Sequence, residues 1–391
     1  MTTPSIIRNK YTLNRVKLIQ SGEPFFTCLI DLINQAQQVV HVQYYIFDLD
    51  VIGTRVLHAL QQAAVRGVKV LVVVDAYASA QITSQNAQLF TDYGILLKRF
   101  SPLINKKGWG IGRRLHHKIC WVDGKAALVG GINIADKYCG TPMLPAWLDF
   151  AILVKGPICI DIRKVCEEIW SRKLVKKLAK TKDAVLPNQD GTFLSRITKN
   201  DWLRSRIEIS SSYRYAFKHA QTDITIVASY FLPGNRMRRI LKNAADRGVR
   251  VQIILVGDSD VPFVKPAMTY LYDWMLRHNM VIYEWQKSVL HGKLAVVDDR
   301  WVTVGSYNIN ALSDYGSLEL NIETIDDTFA IQTKNVLNQL IHEGCIPVNQ
   351  ARFIQRKNWF KQFNLWLSYT LIRMALRLLF GLMQGRKPSH F

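Results

Sequence analysis

The sequence predicts an α/β fold built from two similar halves, and three observations support this. Strand-like and helix-like segments alternate along the 391 residues, which argues for helices layered on a sheet. A helix-ending pattern, Ala-Ala-x-Arg-Gly-Val, starts at Ala63 and again at Ala244, an offset of 181 residues at every position. A set of His, Lys, Asp, Gly and Asn also occurs twice with identical internal spacing.

In the first half, Val42 to Ile46 reads as a strand. A helical stretch follows and closes on Arg66-Gly67, and Leu71 to Val74 is an apolar run. In the second half, Val227 to Phe231 is the comparable strand, Arg247-Gly248 closes the helix, and Gln252 to Val256 is the following run. Each copy is thus a strand, an amphipathic helix, a glycine at the helix end and a buried β-branched strand. Recurrence at a fixed offset points to duplication. The expected organisation is a first half over 1–170, a basic linker over 171–210, a second half over 211–345 and a basic amphipathic tail over 346–391. The linker carries Arg172, Lys173, Lys176, Lys177, Lys180 and Lys182, then a turn-like Pro187 to Gly191.

Composition narrows the partners. Nearly half of the chain is hydrophobic, enough for a sizeable core, and wholesale disorder is not expected. Lys and Arg number 51 against 30 Asp and Glu, a net charge of +21. Such an excess suits a polyanionic partner, either nucleic acid or an anionic membrane. The six cysteines are scattered without a CxxC pair, so reduced thiols are expected rather than a disulfide framework or a zinc site. The first 25 residues hold no apolar stretch of signal-peptide length. A position on the cytoplasmic side of the membrane is the expectation.

The chemistry concentrates in the duplicated set. The first copy is His116, Lys118, Asp123, Gly130-Gly131 and Asn133; the second is His291, Lys293, Asp298, Gly305-Ser306 and Asn308. Residues two apart on a strand share a face, so His and Lys of each copy point together. Asp123-Gly124 suits a hairpin turn, and the glycines let the backbone pass close to whatever lies above. Two imidazoles, two ammoniums and two amides would suit a phosphodiester held between the halves. His117, between the motif residues, should face the other way.

This pattern resembles the phospholipase D superfamily, whose signature is HxK(x)4D(x)6G[GS]xN in duplicate, and the resemblance runs from about Val16 to Glu343. It implies two duplicated α/β/α sandwich halves with a mostly β core sheet and an active site at their interface. In the family one histidine attacks phosphorus and the other handles the protons of the leaving and entering alcohols. The resemblance suggests His116 as nucleophile and His291 as acid and base. It implies that Lys118, Lys293, Asn133 and Asn308 stabilise phosphoryl oxygens, with no metal or cofactor required. Asp123 and Asp298 join the motif set but, sitting at the turns, are expected to support the site structurally. Ser306 stands where Gly131 lacks a hydroxyl. Asp149 and Glu319, downstream of the motifs in strand-like runs, match the family's histidine-orienting carboxylate.

The superfamily includes nucleases, phospholipases, phosphatidylserine synthases and cardiolipin synthases. Three features favour lipid. Lys106, Lys107, Trp109, Arg113 and Arg114 precede the first motif and suit an anionic headgroup region. Phe363 to Met383 is rich in Leu, Phe and Trp and carries Arg373 and Arg377 near its middle. Those arginines make a bilayer span costly and an interfacial helix more suitable, the other reading being a helix packed on the protein's own core. Val289 to Ser306 and the Tyr-Phe-x-Pro-Gly of Tyr230 to Gly234 resemble the short-type bacterial cardiolipin synthases. The expectation is therefore phosphatidyl transfer between two phosphatidylglycerols, giving cardiolipin and glycerol through a phosphohistidine, at the surface of an anionic membrane. A phospholipase D or phosphatidylserine-synthase activity is the alternative, and an endonuclease a lesser one; no nucleic-acid partner is expected. Two motifs on one chain make a monomer sufficient for one site.

Overall fold

A computed structural model gives the fold, and it describes residues 10–101, 104–105, 108–109, 114–170, 192–201, 204, 206–350, 353 and 358–384. Lys106, Lys107 and Arg113, the basic run after Arg172 and the Pro187 to Gly191 turn lie outside these residues. The same holds for the side chains of Trp109 and Arg377.

The two halves repeat one sheet topology. In the first, strands run in the order Thr12–Gln20, Phe150–Lys155, Ala126–Gly130, Lys118–Val122, Val39–Tyr44, Lys69–Asp75 and Leu96–Phe100. In the second the order is Phe193–Asp201, Ser317–Ile325, Trp301–Gly305, Lys293–Val297, Asp223–Ala228, Arg250–Val256 and Val281–Trp285. The first four pairings in each half are antiparallel and the last two parallel. Phe193–Asp201, expected in a linker, instead forms the first strand of this second sheet and also pairs with Thr12–Gln20 of the first, and helix Glu208–His219 starts within the same span. Polar residues such as Arg196 and Asn200 hid that strand, because only the fold supplies their partners: Arg196 pairs with Glu323, and Asn200 donates to Ser210 Oγ and accepts from the Ile209 amide.

The repeated Arg-Gly-Val is a repeated helix cap. Helix Val51–Val65 ends with Gly67 at φ +84, and the Val68 amide donates to the Ala63 carbonyl at 3.0 Å. Helix Asn235–Asp246 ends with Gly248 at φ +90, and the Val249 amide donates to Ala244 at 3.1 Å. Glycine takes the left-handed position without a Cβ penalty, and the next residue enters the parallel strand.

The core follows from the strand period. Val40, Val42, Val70, Val72 and Cys120 face helices Glu23–Asn34 and Val51–Val65. The alternate residues Ile119, Trp121, Val129, Phe150 and Ile152 instead join a larger core with Ile197, Ile226, Leu294 and Ile322 of the second half. The halves thus share apolar interior. Arg196 and Glu323 pair at 2.7 Å near the join, where Tyr11 donates to Glu323. All six cysteines are free thiols, three buried and three half-buried.

Candidate active site

Two backbone exchanges cross the seam between halves. Arg114–Leu115 pairs in parallel with Ser317–Leu318, and the His116 amide donates to the Leu318 carbonyl at 3.1 Å. In the mirror arrangement, the Leu148 amide donates to Val289, and the His291 amide to the Leu148 carbonyl at 2.8 Å. Each histidine therefore enters beside the strand start of the other half.

That crossing decides the carboxylate partners. His116 Nδ1 lies 2.9 Å from Glu319 Oε2, and His291 Nδ1 lies 2.6 Å from Asp149 Oδ2. Both carboxylates are fully buried. Each carboxylate thus orients the histidine of the opposite half, a pairing invisible to motif spacing. With a carboxylate at Nδ1, that nitrogen carries the proton and Nε2 offers its lone pair.

The two sides differ in detail. A Cβ at Gly131 would lie 2.3 Å from Asp149 Oδ1, so the short carboxylate occupies the space a serine would need. On the other side Ser306 Oγ donates to Glu319 Oε2, helping to fix the longer side chain. The missing hydroxyl is therefore replaced by closer approach of the acid.

Lys118 and Lys293 are both buried. Lys118 Nζ donates to the His116 carbonyl at 2.7 Å and lies over the Tyr45 ring at 5.1 Å. Lys293 Nζ donates to the His291 carbonyl and sits 3.0 Å from its Nδ1 and 3.8 Å from Asp149. Burial pushes Lys118 down to about 7, against the upward pull of Glu319, and it also lowers Lys293. Burial drives Asp149 up to about 6, and the Lys293 ammonium opposes it. Both histidines are held below the ordinary imidazole value, mainly by burial; the two lysine charges add to this at each, and Glu319 opposes it at His116.

Asn133 Oδ1 accepts from the Ile46 amide at 3.1 Å, and its Nδ2 donates to Tyr138 Oη at 2.9 Å. Asn308 Oδ1 accepts from Ser229 Oγ at 2.8 Å. The acceptor end of each amide is thus held by the protein, and the donor end of Asn133 is engaged by Tyr138 as well.

Asp123 and Asp298 lie at the far ends of the motif strands, away from the histidines. At φ +50 and +52, they begin tight turns. The Asp123 carboxylate accepts from the amides of Gln37, Gln38 and Val39 at 2.8 to 2.9 Å. Asp298 does the same for Gln221, Thr222 and Asp223. These bonds tie the hairpin to the start of the neighbouring strand, so the geometry keeps both residues out of the reacting set.

Two further positions are settled by their neighbours. Arg114 does not reach toward a headgroup: its Nη1 is 3.2 Å from buried Asp75, whose other oxygen accepts from the Leu115 amide. His117 faces away from the motif histidines and lies 2.6 Å from Gln43, with burial depressing it to about 3. The motif reading missed the aromatic wall. Tyr45 packs edge-on against His116 at 4.9 Å, and Tyr138, Trp147 and Tyr230 stand 5.3, 6.2 and 6.2 Å from His291. Trp147 adjoins Asp149 in sequence, but nothing in the spacing marks Tyr138. Among the described residues no cluster of three or more His, Cys, Asp or Glu is placed to hold a metal ion.

Two imidazoles, two buried lysines and two anchored amides thus gather at one seam, the set that the duplicated motif led us to expect together. The chain belongs to the family described as "Cardiolipin synthase, PLD-like domain", which it matches over residues 29–142 and 213–341, once in each half. It is 29% identical over 381 residues to cardiolipin synthase B of Salmonella typhi, covering 96% of this chain and 91% of that one. Cardiolipin synthase B of Escherichia coli K12 is 28% identical over the same coverage. Among solved structures, a phosphatidylserine synthase from Haemophilus influenzae shares the fold, with a TM-score of 0.73 at 16% identity, covering 95% of this chain and 96% of that one. Family and fold place this protein among the phosphatidyltransferases.

Proposed function

We propose that the protein is a cardiolipin synthase, transferring a phosphatidyl group from one phosphatidylglycerol to another and releasing glycerol. The observation that carries this reading is the crossed pair of histidine–carboxylate contacts, 2.9 and 2.6 Å, in a chain of this family. His116 Nε2 attacks phosphorus and the P–O bond to the glycerol headgroup breaks, while His291 gives its proton to the leaving oxygen. A phosphatidyl-histidine remains. A second phosphatidylglycerol then gives the proton of its headgroup hydroxyl to His291, and its oxygen displaces His116 to form cardiolipin. Two phosphatidylglycerols become one cardiolipin and one glycerol.

The electrostatics support this order. In the free protein, burial and the lysine charges keep His291 neutral. An arriving phosphodiester brings the negative charge that favours an imidazolium, so the acid is charged once substrate is bound. Lys118, Lys293, Asn133 and Asn308 surround the phosphoryl oxygens, and Asp149 and Glu319 hold the imidazoles in register. His116 keeps more of its side chain open, 15% against 8% for His291, which suits the group that must meet phosphorus.

Membrane docking falls to the tail. Helix Trp359–Gln384 buries Leu365, Ser368 and Tyr369, and Tyr369 stacks on Tyr270 at 4.8 Å. Its opposite face exposes Trp359, Phe363, Trp366, Leu367, Leu371 and Met374. The helix therefore packs on the protein's own core and still presents an apolar strip. Arg373 does not join an outward basic stripe, because it lies over the Tyr369 ring at 5.3 Å. After Glu343 the chain carries eight Lys and Arg and no acid. Among the described residues no helix is long and apolar enough to cross a membrane. Peripheral attachment to the cytoplasmic face of an anionic membrane fits this strip and charge.

The test is to quench the protein with denaturing detergent at alkaline pH, where a phosphorus–nitrogen bond to histidine survives, during turnover of phosphorus-labelled phosphatidylglycerol and map the label by peptide. Label on the His116 peptide is expected; label on His291, or none on any histidine, would contradict the mechanism.

A further inference from the structure

The Tyr-Phe-x-Pro-Gly segment beginning at Tyr230 has no part in the transfer steps, yet it lies against the site. The Tyr230 ring meets His291 edge-on at 6.2 Å, and its hydroxyl donates to Asp260 at 2.7 and 3.0 Å. Asp260 stands exposed on the loop after strand Arg250–Val256. The first half handles its acid differently. The equivalent strand, Lys69–Asp75, itself ends on an acid, and Asp75 is buried and bonded to Arg114 and the Leu115 amide. The cleft is therefore asymmetric, with an open carboxylate on the His291 side.

That asymmetry has a chemical consequence. The phosphodiester sits between the two ammoniums at the centre. A carboxylate beside His291 repels further phosphate and accepts hydroxyl hydrogens. Its charge reaches the centre: it pulls both His291 and Lys293 upward against the larger lowering by burial, alongside Asp149 and Glu319 in the case of Lys293. The same wall carries a cation: Lys137 Nζ lies 4.5 Å over the Trp147 ring, which is itself 6.2 Å from His291. An ammonium there disfavours a cationic headgroup, as Asp260 disfavours an anionic one. A neutral polyol can donate to the Asp260 carboxylate and accept from the Lys137 ammonium.

We infer that Tyr230 and Asp260 form the headgroup subsite of the cleft, selecting an uncharged polyol such as glycerol on the His291 side. The inference rests on the phosphatidyl-transfer reading, in which His291 serves the leaving and entering headgroup oxygens. Tyr230 acts as the positioning residue, aiming the carboxylate, and Asp260 takes the hydroxyls.

The experiment measures headgroup release from vesicles of phosphatidylglycerol and of phosphatidylethanolamine by wild type, Asp260→Asn and Tyr230→Phe. Asp260 is exposed and asparagine has the same shape, so folding is not at issue. The subsite predicts that the kcat/KM preference for phosphatidylglycerol falls about tenfold in Asp260→Asn, chiefly through KM, and less in Tyr230→Phe. An unchanged preference, or an equal loss on both lipids, would overturn it. A wild-type preference for ethanolamine release that Asp260→Asn abolishes would overturn the polyol assignment. A wild type that releases no headgroup from either lipid would contradict the functional reading, and the subsite with it.

Discussion

Each motif histidine is served by a carboxylate from the other half, and two predictions follow at the scale of single residues. Asp149→Asn and Glu319→Gln keep the shape but lose the charge that fixes the tautomer. Each should lower kcat by about 10³ to 10⁴ while leaving the melting temperature near wild type, measured by initial rates and thermal denaturation. The second concerns pH. Asp149, raised to about 6, loses its negative charge as pH falls through that value, and His291 loses its orienting partner. Lys118, lowered to about 7, loses its positive charge as pH rises through that value, and the phosphate loses a counter-charge. A kcat/KM profile for the free enzyme should therefore be a narrow bell with limbs near 6 and 7; a plateau extending to pH 9 would contradict the loss of a required Lys118 charge near 7. The sequence displayed the residues themselves, because His, Lys and Asn recur at fixed spacing. It hid the exchange of partners, because Asp149 and His291 are 142 positions apart and the backbone bonds of Leu148 to Val289 and His291 bring them together. Tyr138 and Tyr230 were hidden for the same reason.

At the scale of elements, the motif aspartates act as ties between hairpin and sheet. Asp298 sits at φ +52 and is followed by Asp299 at φ +46, so its turn holds two non-glycine residues in the left-handed region. The carboxylate offsets that strain by accepting the amides at the start of strand Asp223–Ala228. Asp298→Ala should leave those donors unpaired and cost about 1 to 3 kcal/mol or more in a denaturant titration; no loss of stability would contradict the tying role. The turn itself was legible at Asp123-Gly124, since Asp-Gly is a hairpin signal. The helix caps at Gly67 and Gly248 were legible too, as a pattern repeated at constant offset. Strand Phe193–Asp201 was not, because its buried Arg196, Asn200 and Asp201 read as a polar linker until their partners are known. The tail was half legible. Its apolar residues were plain, but the division into a packed and an open face depends on where Tyr270 stands.

At the scale of the whole molecule, duplication makes the site. Each half brings one histidine, one lysine and one amide, together with the carboxylate that the other half requires. The shared core of the two sheets holds this exchange in place, since Ile119, Trp121 and Phe150 pack with second-half residues directly behind the motif strands. Neither half is complete alone, although either motif read singly looks complete. The excess of positive charge suits the anionic membrane surface proposed for this protein, and Asp260 is the exception in the proposed headgroup subsite. The most direct test of this account is a lipid product analysis on phosphatidylglycerol vesicles, comparing wild type with His116→Ala and His291→Ala. Cardiolipin and glycerol in equal amounts from wild type, and neither from the two variants, is the predicted result. Phosphatidic acid without cardiolipin, or cardiolipin formed by either variant, would contradict it.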